Sequence, residues 1–168
     1  MYQSYQLIGY QTPTTKLGPG DLVNLDAYAD LIGDLKTNDG WLSDIKNADM
    51  KKRLARLIGV VEQAHALQGQ QVSNDQTTLK VFLVPEFYFR PTADQGVQSS
   101  YSDAERDALV KVLDRYVKAE RFKHWLFVFG TVIWQIQVSK LMANAQLPDG
   151  VKLNDDKAQA YVIKNTTL

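Results

Sequence analysis

Cysteine is absent from this chain. Disulfides, thiolate zinc sites and cysteine nucleophiles are therefore excluded within its 168 residues. Histidine is nearly absent, with only His65 and His124, which leaves no multi-histidine metal site. No metal and no cofactor is expected. Neither sign of charge prevails, since 19 Lys and Arg balance 19 Asp and Glu. Nucleic acid and anionic membranes usually demand a basic excess, so neither is an expected partner. Long hydrophobic runs are missing too. The longest, around Trp125 to Trp134, is too short to span a bilayer. Met1-Tyr2-Gln3-Ser4-Tyr5-Gln6 has no basic n-region and no apolar core, so no signal peptide is read and a cytoplasmic location is expected.

What is present suits a globular domain. Hydrophobic residues make up 45% and charged residues 23%, enough to build one core from residues 1–168. Tyr5 to Tyr10 is a weakly alternating first strand. Gly18-Pro19-Gly20 marks a turn. Asp21 to Leu35 carries apolar residues at near-helical spacing, and Thr37-Asn38-Asp39-Gly40 breaks it. Asp49 to Gln68 is a stronger helix, with a stripe of Met50, Leu54, Leu57, Ile58, Val61 and Ala64. Asn47 or Asp49 can cap its start and Gly69 can end it. The basic cluster Lys51-Lys52-Arg53 with Arg56 reads as the solvated face of that helix.

Leu79 to Val84 is a nearly continuous apolar strand, as expected when both faces are covered. Ser102-Asp103-Ala104-Glu105 has the form of a capping box. The helix it opens runs to about Phe122. Trp125 to Trp134 is the next strand, and Gly130 inside it suggests close backbone packing. Leu147-Pro148-Asp149-Gly150 is a turn signal, and a last strand begins after Ala158. The order helix–strand–helix–strand gives an α/β fold class with strands packed between helices.

Glu86 is the candidate catalytic residue. It follows the strand and Pro85 directly, and Phe87, Tyr88 and Phe89 follow it. Open α/β sheets place ligands at the carboxyl ends of their strands. Rings of Phe82, Phe87, Tyr88 and Phe89 around the carboxylate would tune it toward general acid–base work. The plainer alternative is a solvated glutamate or one paired with Arg90. Other polar residues read more blandly. His124 is a helix-end or surface histidine, His65 a packed one, and Tyr88 a core aromatic near the strand end. Asn154-Asp155-Asp156 lacks the spacing of a calcium loop.

Val81 to Phe89, an apolar strand entering Pro-Glu-aromatic, resembles the first catalytic motif of the nitrilase (carbon–nitrogen hydrolase) superfamily. Trp125-Leu126-Phe127-Val128-Phe129-Gly130-Thr131 is similar to the next strand of that family. Ile163-Lys164-Asn165-Thr166-Thr167-Leu168 resembles its Asn-containing strand. The likeness runs from about Asp49 to Leu168 and rests on the order of elements. It departs from the family in a poorly marked first strand, a long Asp21 to Ala48 and a long Trp134 to Lys157.

The resemblance implies part of an α-β-β-α sandwich, a small-molecule amide or nitrile substrate, and assembly into a homo-oligomer. It implies Glu86 as the general base beside a lysine and a nucleophilic cysteine. Lys164 precedes Asn165 and does not match that lysine by order, so Glu86 alone carries over. Tyr161 to Leu168 reads as a strand with no turn or polar tail after it. The expectation is therefore the N-terminal portion of such a hydrolase, inactive alone. Its two helices should pack on one face of the sheet, leaving the other face apolar and exposed. The alternatives are a non-enzymatic α/β binding or interaction domain, perhaps a degenerate relative, and a hydrolase pairing Glu86 with Asp94 or Asp103.

Overall fold

The computed structural model describes residues 1–12, 44–91, 100–137 and 161–168. The segments read as Asp21 to Leu35, Leu147 to Gly150 and Asn154 to Asp156 lie outside these, as does Asp94.

Strand β1 (Ser4–Gly9) is followed by helix α1 (Ala48–Ala66) and strand β2 (Thr78–Leu83). A two-residue strand β3 (Tyr101–Ser102) leads into helix α2 (Asp103–Val117), and a 3-10 turn covers Glu120–Phe122. Strands β4 (Trp125–Val128), β5 (Thr131–Gln137) and β6 (Tyr161–Thr167) complete the described elements. The class is α/β, as expected. Local chemistry explains both helix starts. The Asn47 side chain accepts from the Met50 amide at 3.0 Å. Ser102 and Glu105 form the full capping box, each side chain bonding the other residue's backbone. Lys118 caps α2 at its carboxyl end, so this helix stops short of Phe122.

The apolar run from Trp125 to Trp134 is two strands rather than one. It breaks at Phe129-Gly130, where Gly130 has φ 74°. Before the break, β4 pairs in parallel with β2, and β2 with β1, giving the order β1-β2-β4. After the break, β5 lies between β3 and β6 in a second sheet. Leu79 to Val84 and the first half of the Trp125 run are thus parallel neighbours, while the second half is not.

Both helices lie on one face of the first sheet. Phe82 and Trp125 from the sheet share a core with Leu54, Leu57, Ile58 and Val61 of α1 and with Leu109, Val112 and Leu113 of α2. His65 of α1 packs edge-on to Phe122, ring centroids 5.5 Å apart. Side chains also tie the helices together: Asn47 donates to Glu105 at 2.8 Å and Tyr116 to Glu62 at 2.7 Å.

The opposite face is apolar and open. Register places Tyr5 beside Leu79, then Leu7, Val81 and Leu126 in one row, then Leu83 beside Val128. Tyr5 is 72% exposed, Leu7 60% and Leu126 49%. Soluble monomers rarely present a row of this kind to water.

Lys80 is the anomaly on the helix-covered face. It is 1% exposed, and among the described residues its ammonium donates only to the Asp75 carbonyl, at 3.2 Å. Burial lowers its pKa, with the Asp75 charge opposing weakly. A lysine whose folded pKa lies below its unfolded one costs stability while charged in the fold. That cost fades as pH rises through the lowered folded value toward the ordinary lysine range. Lys80→Met keeps the buried stem and removes the charge, and the Asp75 carbonyl still accepts from the Thr78 amide. Urea unfolding of Lys80→Met at pH 7 is expected to show a gain of about 1 kcal/mol. The gain should shrink as pH climbs through that window. A loss at neutral pH would show that the lysine charge is well solvated.

Candidate active site

The parallel strands β1, β2 and β4 end on the same side, and β2 is the middle one. Glu86 lies just past its carboxyl end, where the expected site was placed. The turn that carries it is braced on both flanks. Upstream, the Val84 amide bonds the Val128 carbonyl at 2.9 Å. Pro85 then passes directly over Gly130. A Cβ at residue 130 would overlap the Pro85 carbonyl oxygen and stand 3.2 Å from its carbon. Gly130 therefore serves the close backbone approach that the sequence suggested.

Downstream, Phe87 takes a left-handed conformation, φ 59°, rare for a side chain of its size. Its amide donates to the Thr131 hydroxyl at 3.1 Å. Phe89 is then held by the Ile133 amide, which donates to its carbonyl at 3.1 Å. Backbone conformations of this kind persist where the surroundings over-determine them, and they cluster at functional sites.

Glu86 itself is exposed, and among the described residues it has no hydrogen bond or ion pair. The expected aromatic enclosure does not form. Phe82 is spent in the core under the helices, and Phe87 is exposed. Tyr88 and Phe89 are buried against each other, ring centroids 5.0 Å apart. The reversal at Phe87 separates the carboxylate from the rings that follow it in sequence. No ion pair with Arg90 forms either.

Tyr88 anchors the turn to α1. Its hydroxyl donates to the Arg53 carbonyl at 2.8 Å, and its own carbonyl accepts from Arg53 Nη1 at 2.8 Å. Arg53 Nε donates to Asp49 at 2.8 Å, and the same carboxylate oxygen accepts from the Tyr101 hydroxyl at 2.6 Å. Burial pushes the Tyr88 hydroxyl well above the ordinary tyrosine range, and Tyr10 adds to the shift. Burial raises Tyr101 likewise, and the Asp49 charge helps. Both tyrosines are thus fixed as neutral donors.

The reading of Lys51, Lys52, Arg53 and Arg56 as one solvated face is therefore corrected. Arg53 is 0% exposed, and only Lys52 of the four is exposed, with Lys51 and Arg56 half-buried. Arg53 falls in the apolar stripe, three residues after Met50 and four before Leu57, and Asp49 stands one turn before it. That spacing was the available signal. Arg56 lies with its guanidinium 5.7 Å from the Tyr10 ring, and Tyr10 lies 5.8 Å from Tyr88. Sequence reasoning missed this grouping.

Comparison with family models, with curated proteins and with solved structures returned no match.

Asp103, the other described partner weighed for Glu86, sits in the first turn of α2. His65 is half-buried among rings, and His124 meets the Tyr2 hydroxyl at 3.4 Å. Among the described residues no cluster of three metal-ligating side chains occurs, and no helix is long and apolar enough to cross a membrane. The site thus offers one carboxylate, unpartnered among the described residues, on a braced turn. Such a group can accept a proton from a nucleophile or a water.

Proposed function

We propose that this chain is the base-bearing, N-terminal part of a nitrilase-type amidohydrolase, with Glu86 as its general base. One observation carries the proposal: a carboxylate, unpartnered among the described residues, on a braced turn at the carboxyl end of the middle parallel strand. The order of elements supports it. So does the open apolar face of the first sheet, which is what half of an α-β-β-α sandwich presents. The substrate class is a small amide or nitrile, and assembly into a homo-oligomer belongs to the same proposal.

The chemistry would run in two halves. Glu86 takes the proton of a thiol, whose sulfur attacks the amide carbon. The amine leaves with a proton, and an acyl-thioester remains. Glu86 then takes a proton from water, whose oxygen displaces the thiol and releases the acid. These 168 residues contain no cysteine, so the thiol belongs to polypeptide outside them. A second reading, a non-enzymatic α/β interaction domain, is favoured by the same missing thiol.

The test has two arms. The 168-residue chain should show no turnover of amides or nitriles. A gene product that also carries the thiol should turn over, and Glu86→Gln should lower its kcat by about 10²–10⁴-fold while unfolding normally. A wild-type kcat in that variant would remove Glu86 from the mechanism. Hydrolysis by the 168-residue chain itself, lost in Glu86→Gln, would replace the thiol pathway with a carboxylate one. A reading frame that closes at codon 168 in an intact gene would favour the interaction domain.

A further inference from the structure

The place of the Glu86 carboxylate is set through the backbone, since its side chain makes no hydrogen bond or ion pair among the described residues. Glu86 and Phe87 are the two central residues of a turn, and of the two only Phe87 has a positive φ, 59°. That is the type II pattern, in which the second central residue is ordinarily Gly or Asn. A phenylalanine is strained there, because its Cβ crowds the backbone in the left-handed region. Burial does not offset the strain, as Phe87 is 37% exposed. A contact from outside the turn must hold it.

The Thr131 hydroxyl supplies that contact. Its oxygen accepts from the Phe87 amide at 3.1 Å. Thr131 is 8% exposed and opens β5, where it pairs with Thr167 of β6. The chain that follows Phe87 runs parallel to β5. Phe89 bridges to Val132, and its carbonyl accepts from the Ile133 amide at 3.1 Å. The acceptor therefore sits on a strand that is held from both sides. One residue earlier, Gly130 meets the Pro85 carbonyl at a separation no Cβ would permit. Residues 130 and 131 thus clamp residues 85 and 87, and Glu86 is the residue between the clamps.

We propose that Thr131 is a positioning residue for Glu86: its hydroxyl holds Phe87 in the left-handed conformation that fixes the carboxylate for proton transfer. The inference deepens the reading of Glu86 as general base and rests on it. Thr131 touches no reacting atom in this scheme. It acts by narrowing the range over which the carboxylate moves, and a misplacement of about 1 Å can cost roughly 10²-fold in rate. Thr131→Val is the informative change, because valine has the same branched shape but no acceptor. Thr131→Ser keeps the acceptor and loses only a methyl group.

Amide exchange and kinetics test it together. On the isotopically labelled 168-residue chain, Thr131→Val should speed exchange at the Phe87 amide by about tenfold, and Thr131→Ser should leave it slow. The Val84 amide, bonded to the Val128 carbonyl, should stay protected in both, which shows that the sheet is intact. In a gene product that also carries the thiol, Thr131→Val should lower kcat roughly 10–100-fold with KM little changed, and Thr131→Ser should restore most of the loss. The double variant Thr131→Val/Glu86→Gln should be no slower than Glu86→Gln alone, because a residue that acts through the carboxylate then has nothing left to position. Losses that multiply in the double variant would make Thr131 a structural residue and overturn the proposal. So would slow Phe87 exchange in Thr131→Val, or a wild-type kcat in Thr131→Val where Glu86→Gln is inactive. A wild-type kcat in Glu86→Gln is a different result: it overturns the general-base reading itself, and the role of Thr131 falls with it.

Discussion

Gly130→Ala is expected to cost about 3 kcal/mol, the sum of a left-handed backbone penalty and an overpacking penalty. Residue 130 has φ 74°, which an alanine adopts only with strain. The added methyl also has nowhere to go. It would overlap the Pro85 carbonyl oxygen, and the Val84 carbonyl oxygen stands 3.5 Å away on the same side. Backbone atoms cannot swing aside as a flexible side chain can. Gly69 supplies the control. It has φ 81°, but a Cβ there would meet only the Asn74 amide nitrogen, at 3.5 Å. Gly69→Ala should therefore pay the backbone penalty alone, about 1 kcal/mol. Urea unfolding of both variants gives the comparison. Equal losses would mean that the Pro85 approach contributes nothing to stability.

The same contact links stability to the site. Pro85 precedes Glu86, and the Thr131 hydroxyl that receives the Phe87 amide follows Gly130. The break between β4 and β5 thus shapes the turn that carries the carboxylate.

Elements set by local chemistry were legible in the sequence. The Ser102 capping box and the Asn47 cap need only side chains three residues from the groups they bond, so the pattern is self-contained. Strand β2 and the stripe of α1 were legible from periodicity. The split of the Trp125 run was not, because Phe129-Gly130-Thr131 is apolar enough to read straight through, and a glycine inside a strand only hints at a bulge. The enclosure of Glu86 failed for a related reason. Proximity in sequence suggested rings around the carboxylate, but Phe87 reverses the chain. No property of a phenylalanine announces a positive φ. Arg53 was misread because its charge outweighed its place in the stripe, although Asp49 one turn earlier offered the partner that burial requires.

That buried arginine gives the other large effect. Arg53→Met should destabilise the chain by about 3 kcal/mol, the lower end of what breaking a buried ion pair costs. The lower end applies because Asp49 keeps 27% exposure of its side chain and so retains some water. Methionine fills much of the volume, so packing is not the main loss. The loss comes from groups left behind. The Tyr88 carbonyl loses its donor inside the core, and Asp49 keeps only the Tyr101 hydroxyl of the two contacts described. Among the described residues Arg53 Nη2 is itself buried without a partner, so the native network already carries one unmet donor that the variant removes. Pairing the change with Asp49→Asn should therefore recover part of the stability, since the carboxylate charge that Arg53 balances goes as well. Chemical unfolding of the two single variants and the double variant measures this coupling. Simple additivity of the two losses would show that Arg53 acts through packing alone. Tyr88 stands two residues after Glu86, so Arg53→Met should also raise amide exchange across residues 86–89, well beyond its own helix. Exchange unchanged there would detach the arginine from the site.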